Sequence, residues 1–397
     1  MSSAGPCRWT SLFLAIVFAP LNGSAQQPSI DNQRQTAIAL EQQGRNSEAE
    51  VAWRTVVAVQ PSSPEAYAHL GFLEARQEHY TQAIPLYRKA LALNPAMPGL
   101  EMNLGLALFK AGELKEAIRI FDKLLKTETP SSSEAGRLRT LIGMADFGLQ
   151  DYTSAIPYLK EATTEDPQNL PFRLILAHSC LAAKQFQCVL DTYHEILNLN
   201  AESAEADMLA GEALDEMQDH AGAIQQFRAA VKASPKEPNV HFGLGYLLWT
   251  QAQYAEAATE LKAELANVPD HVQALVYLAD SDIKMNRFNE ALLLLKKTIQ
   301  IKPDLEMAYL DLGIVHVNLH HQAEALHELK LAAKMKPDDV AVHWRLAQLY
   351  RSMNKKSEAE AEFEKTKKLS KAADESVSSK LNSARSQTQG PKTGAGR

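Results

Sequence analysis

The 397-residue chain predicts an all-α solenoid built from short helix pairs. Proline recurs at Pro61, Pro95, Pro167, Pro235, Pro269, Pro303 and Pro337, at gaps of 34 residues or near multiples of 34. Glycine recurs on the same period at Gly71, Gly105, Gly143, Gly211, Gly245 and Gly313, each followed twelve places later by an alanine, from Ala83 to Ala325. The composition, 45% hydrophobic but only 7% aromatic, is rich in Ala, Leu, Glu, Lys and Gln, which occupy helices at little entropic cost. Length alone would suggest two or three domains, but a fixed internal period predicts one extended array. No strand is expected.

The first 25 residues lack an acidic side chain, carry Arg8, run apolar from Leu12 to Ala19, and end in Gly23, Ser24 and Ala25. This is the layout of a cleaved secretory signal, and it places the mature chain outside the cytoplasm, in a periplasm or an extracellular space. The apolar run is about half the ~20 residues that span a bilayer, and no other segment has 18 consecutive apolar residues. No transmembrane segment is therefore expected in the mature chain. Asn22-Gly23-Ser24 fits a glycosylation acceptor, but it would leave with the signal. Residues 26–29 form a short leader.

Ten units follow, beginning at Ile30, Pro64, Pro98, Gly136, Leu170, Ala204, Pro238, Val272, Glu306 and Val340. They cover residues 30–373, with a four-residue insertion near 132–135. The first unit has Ala37 where glycine is usual but keeps Ala49, Trp53 and Pro61, and it reads as a degenerate cap. In the second, Ala66, Leu70, Gly71 and Leu73 make one helical stripe, repeated by Met102, Leu104, Gly105 and Leu108 in the third. A mid-helix glycine costs about 1 kcal/mol of propensity, so its recurrence calls for a steric reason. We expect a partner helix to cross closely there, opposite the small alanine.

Four places after each alanine comes a bulky filler, among them Tyr87, Phe121, Leu159, Phe227, Leu261 and Leu329. The unit from Leu170 departs most, with Ala177 for glycine and Val189 for alanine, and it carries Cys180 and Cys188, the two thiols left once Cys7 departs. In an oxidising compartment these two either pair as a disulfide or sit as small buried groups, and spacing leaves both open. The prolines fall between units, where a missing backbone donor ends a helix. Ser63 before Pro64, and Asp304 and Asp338, are the expected N-caps. Pro130 lies one place late, and Ala201 replaces a proline.

The chain holds 41 basic and 48 acidic residues, for a formal charge of -7. Residues 374–397 lose the apolar stripe and are expected to be a disordered basic-polar tail. The body is the more acidic part, which disfavours nucleic acid as a partner.

Taken together, Leu70-Gly71, Ala83, Tyr87, Ala90 and Pro95 in one unit, and Leu312-Gly313, Ala325, Leu329, Ala332 and Pro337 in another, make the chain resemble the tetratricopeptide repeat family. The resemblance implies antiparallel helix pairs stacked in a right-handed superhelical solenoid, a protein-binding scaffold and no enzyme. It also implies that the first helix of each pair lines a concave face, which makes Phe242, Tyr246, Trp249, Glu212, Asp215, Glu216 and Trp344 candidate groove residues. Phe242, Tyr246 and Trp249 align at helical spacing either as an open recognition face or as packing against the next unit. Glu212, Asp215 and Glu216 either favour a basic segment or form an ordinary solvated face.

Little else points to chemistry. His316 and His320 have a four-residue spacing, but no glutamate between them completes a metalloprotease pattern, so polar groups near a turn are the plainer reading. Gly243 and Gly245 lie within a helical pattern and do not open a nucleotide loop. No metal, cofactor or catalytic residue is assigned. The sequence therefore predicts an exported scaffold that holds an extended peptide or a partner protein. The alternative is a structural or assembly component of an envelope or polysaccharide export system.

Overall fold

The computed structural model describes residues 29–388 apart from 130 and 201. The signal, most of the leader, the end of the tail, Pro130 and Ala201 thus lie outside the described residues. The described residues contain twenty helices and no strand, arranged as two compact units.

The first unit holds three helix pairs: α1 (Ile30–Gln42) with α2 (Asn46–Val59), α3 (Pro64–Arg76) with α4 (Tyr80–Leu93), and α5 (Leu100–Lys110) with α6 (Leu114–Leu125). The second begins with α7 (Ser133–Gly148) and α8 (Tyr152–Glu165), then α9 (Leu170–Ala182) and α10 (Phe186–Leu199), then α11 (Ala204–Glu216) and α12 (His220–Ala233). It continues through α13 (Val240–Thr250) and α14 (Tyr254–Asn267), and through α15 (Val272–Lys284) and α16 (Phe288–Ile301). It ends with α17 (Glu306–Asn318) and α18 (Gln322–Met335), and with α19 (Val340–Ser352) and α20 (Lys356–Thr388). Within each unit every helix packs chiefly on its chain neighbours, so the apolar core is a succession of local clusters.

The recurrent glycines do mark close approaches, but the group above them is the bulky filler sixteen places on. A Cβ on Gly71 would meet Tyr87 ring carbons at 2.7 Å, and one on Gly105 would meet Phe121 at 2.6 Å. One on Gly313 would meet Leu329 at 2.5 Å. Alanine contributes through its backbone: the Ala223 and Ala257 carbonyl oxygens lie 3.4 Å from the Cβ positions of Gly211 and Gly245. The glycine thus makes a socket for a large side chain, and the alanine lets the helix carrying that side chain come near.

Each pair turns through one residue of left-handed backbone. These are Gly44, Glu78, Gly112, Gln150, Lys184, Gln218, Ala252, Asn286, His320 and Asn354, with φ between 56° and 81°. Only two are glycine, so the other turns each accept roughly 1 kcal/mol or more of backbone strain. Between pairs, the proline carbonyls accept side-chain hydrogen bonds: Pro235 from Asn267 at 2.8 Å, Pro269 from Lys297 at 2.6 Å and Pro303 from Tyr309 at 2.9 Å. The prolines therefore both stop a helix and tie one repeat to the next.

Three expectations are corrected. Ser63 caps α3 through Ala66 N–H, but the cap of α17 falls at Leu305, which supplies no side-chain acceptor, and not at Asp304. At α19 the cap is Asp339, one place beyond Asp338, accepting from the N–H groups of Ala341 and Val342. The segment from 374 to 388, expected to be disordered, continues α20. It holds no proline or glycine before Gly390, and its Lys, Ala, Glu and Leu residues favour helix even where the apolar stripe has ended.

Candidate functional site

The second unit contains an open cavity of about 450 Å3, walled by the α9–α10 turn, α11, α12 and α13. Leu181, Lys184 and Phe186 come from the turn, Met208, Glu212, Asp215 and Glu216 from α11, Phe227 from α12, and Asn239, Phe242, Gly243, Tyr246 and Leu247 from α13. Its volume falls in the range of sites that enclose a small ligand or a side chain.

Backbone hydrogen bonds fix both first helices. Ser203 caps α11 by accepting from Ala206 N–H. α13 starts from Asn239 in left-handed conformation, with no side-chain cap of its own. The carboxylate of Glu264, fully buried on α14, replaces one, accepting from Asn239 N–H at 3.0 Å and Phe242 N–H at 3.2 Å. A negative charge is well placed at the positive end of a helix, and here it also fixes where the Phe242 side chain starts.

From Phe242 a run of rings extends onto α15. Phe242 lies 4.7 Å from the His271 ring and 6.3 Å from Tyr246. Tyr246 meets Tyr277 edge-on at 5.2 Å, as does Trp249 at 4.9 Å. His271 Nδ1 accepts from Ala274 N–H, so the ring proton sits on Nε2 and is donated to Asn239 Oδ1 at 2.9 Å. Trp249 Nε1–H donates to Asp280 Oδ2 at 2.7 Å. Burial, together with the nearby Tyr246 and Asp280, raises the Tyr277 pKa. The three aromatics thus combine both readings: each ring packs toward the next repeat, while Phe242 and Tyr246 also wall the cavity and Trp249 does not.

On α11, positions i, i+3 and i+4 bring Glu212, Asp215 and Glu216 to the cavity. Asp215 Oδ1 lies 2.8 Å from His220 Nδ1. Glu212 reaches solvent through the open mouth, yet the protein around it strips enough water to raise its pKa, an effect His178 partly offsets. Trp344 stands apart on α19, 45% exposed, with its ring 5.3 Å from Phe363.

Among the residues that sequence reasoning did not assign to a site, Phe227 was legible only as a core filler. Leu181, Lys184 and Phe186 belong to the turn of the irregular repeat, whose departures at Ala177 and Val189 were the available signal. The structure joins Cys180 to Cys188 across this same turn, with Cα atoms 5.8 Å apart. Where the close glycine–alanine approach is missing, a covalent link holds the pair.

The histidines assemble no metal site. His316 is buried on α17, whereas His320 lies beyond that helix in the turn, so their spacing does not put them on one face. His316 meets His321 instead, Nδ1 to Nδ1 at 3.4 Å, and burial lowers its pKa. Among the described residues no group of three or more His, Cys, Asp or Glu side chains is placed to hold a metal ion. No helix among them is long and apolar enough to cross a membrane.

Two tetratricopeptide repeat profiles match the chain, one over residues 74–142 and 147–213, the other over 34–98, 190–238, 242–306 and 310–374. The DnaJ protein P58IPK homolog A of Oryza sativa subsp. japonica is 24% identical over 255 residues, 60% of this chain and 48% of that protein. BBSome complex member BBS4 of Bos taurus is 24% identical over 226 residues, 49% of this chain and 43% of that protein. The chain spans about half the length of the curated relatives it matches. Among solved structures, MamA from Desulfovibrio magneticus RS-1 superposes with a TM-score of 0.41 at 17% identity, over 43% of this chain and 96% of that one.

Proposed function

We propose, from the premise that the chain belongs to the tetratricopeptide repeat family, that it is a scaffold holding a polypeptide partner against its first-helix face. The observation that carries this is the cavity itself: an opening of about 450 Å3 walled by the first helices α11 and α13, with two aromatic rings and three carboxylates turned into it. Aromatic side chains offer rigid contact area at low entropic cost. The test is site-specific photocrosslinking in the native host. A benzophenone amino acid at Met208, in the cavity, is expected to give polypeptide adducts, and one at Leu293, 71% exposed on the second helix α16, is not. Equal adducts at both positions, or adducts at Leu293 alone, would sink this reading.

We further propose that the protein works in an oxidising compartment, outside the cytoplasm. The Cys180–Cys188 bond supports this, as does the signal-like layout of the first 25 residues. Protein from the native host, treated with iodoacetamide without reductant, is expected to remain unlabelled at Cys180 and Cys188 and to become labelled at both after reduction. Labelling of both before reduction would argue for a reducing compartment.

A further inference from the structure

We propose that the cavity takes the cationic side chain of an arginine or lysine in an extended segment of the partner polypeptide, with the carboxylates of α11 meeting the charge and the aromatic wall of α13 holding the stem. This inference rests on the polypeptide reading above and specifies what that surface selects.

Three features of the cavity support it. First, the charges facing it are unbalanced: Glu212, Asp215 and Glu216 stand against a single lining cation, Lys184. Among the described residues Asp215 has its partner in His220, whereas neither Glu212 nor Glu216 forms a hydrogen bond or ion pair, with Lys184 or with any other group. A partly desolvated carboxylate without a counter-charge is costly, and a cation supplied by a ligand relieves that cost. The upward pull on Glu212 is the same cost seen from the proton's side.

Second, the wall opposite the carboxylates is apolar and aromatic. Phe242 and Tyr246 line it. Arginine and lysine combine a three- or four-carbon stem with a charged head, so they bury the stem on apolar surface and deliver the head to polar groups. A guanidinium or ammonium is also attracted to an aromatic face. An anionic side chain would meet three carboxylates, and a purely apolar one would leave Glu212 and Glu216 unpaired in a drier environment.

Third, the site is held in place before any ligand arrives. Glu264 fixes the start of α13, His271 and Tyr277 brace the Phe242 and Tyr246 rings from the far side, and the Cys180–Cys188 link closes the turn that forms the remaining wall. A rigid site loses less entropy on binding.

The test uses the full chain with a positional-scanning library of terminally blocked nonapeptides, fixed at the central position as arginine, lysine, citrulline, leucine or glutamate. The arginine and lysine pools are expected to bind at least tenfold more tightly than the citrulline and glutamate pools. The advantage should shrink in high salt and fall to within about threefold in the Glu212→Gln/Glu216→Gln variant. These isosteric changes at exposed positions should leave the far-UV circular dichroism unchanged, and Phe242→Leu provides a second variant that weakens every pool through the wall alone. Equal binding of the arginine and citrulline pools, or no retention of any pool, would overturn the proposal while leaving the Met208 crosslinking result to judge polypeptide capture separately. Arginine amide binding as tightly as the arginine pool would also overturn it, by making a free organic cation the ligand.

Discussion

Phe227→Ala is expected to lower the unfolding free energy by about 3–5 kcal/mol, the cost of emptying a large buried aromatic site. Phe227 is 4% exposed, and its ring fills sockets on two first helices. A Cβ on Gly211 of α11 would meet its ring carbons at 2.7 Å, and one on Gly243 of α13 at 2.1 Å. One ring thus joins a helix to its own partner and to the next repeat. In a repeat protein, where stability is approximately a sum of intrinsic and nearest-neighbour terms, its loss weakens two terms at once. The substitution would also enlarge the cavity, because the ring is part of its lining.

Repeat arrays depart readily from two-state unfolding, so amide hydrogen exchange is the more direct measurement. Protection is expected to fall most in α11, α12 and α13. Gly243→Ala should be destabilising for the same steric reason, and combining it with Phe227→Ala should cost less than the two changes summed, since the added methyl then points into vacated space. Strict additivity, or a loss below about 1 kcal/mol for Phe227→Ala, would show that the ring is not the link between these repeats.

That socket marks the boundary of what the sequence makes legible. The helix pairs, their order and their turns follow from the 34-residue spacing, because each repeat buries the same positions against the same neighbours. The glycine was read as facing an alanine, whereas the space above it belongs to the filler, since a period identifies which positions are special and not which of them touch. The left-handed turn residues show the converse. Their conformation is strictly periodic, but Glu78, Gln150, Ala252 and His320 share no side-chain chemistry, so no residue pattern reveals it. Glu264 was invisible for a third reason: it caps a helix starting 25 residues earlier, through a carboxylate that resembles any other on a helix surface. The candidate residues Glu212, Asp215, Glu216, Phe242 and Tyr246 converge because helical spacing sets their faces. Trp249 and Trp344 had the same type and the same helix class, yet one turns to Asp280 and the other stands repeats away.

Asp311→Asn is expected to stabilise the protein above pH 7 and to remove a fall in stability between about pH 4 and 7. Asp311 lies on α17, 7% exposed, and its pKa is pushed up to about 7, first by burial and then by repulsion from Asp280. Glu306 adds to the repulsion, while Lys284 and Arg345 partly offset it. The ordinary value is 3.8, so between these limits the folded state binds the proton more tightly than the unfolded one. Unfolding then releases a proton, stability falls as pH rises through this window, and the full penalty is present above pH 7. Three units correspond to a penalty on the order of 4 kcal/mol.

Asparagine keeps the size and the hydrogen-bonding capacity while removing the charge. The difference between variant and parent in urea midpoint should therefore be small at pH 4 and grow to its largest value near pH 8. Parallel pH profiles for the two proteins would show that Asp311 does not titrate in this way. The connection to the candidate site runs through Asp280, which both repels Asp311 and accepts the Trp249 N–H. When Asp311 carries its charge, Asp280 gains most from a donor that draws off its own. The Trp249 hydrogen bond, which ties α13 to α15 beside the aromatic wall, should therefore contribute more to stability at pH 8 than at pH 5. In the Asp311→Asn background the pH dependence of a Trp249→Phe substitution should disappear, which separates this coupling from a direct effect of pH on the cavity carboxylates.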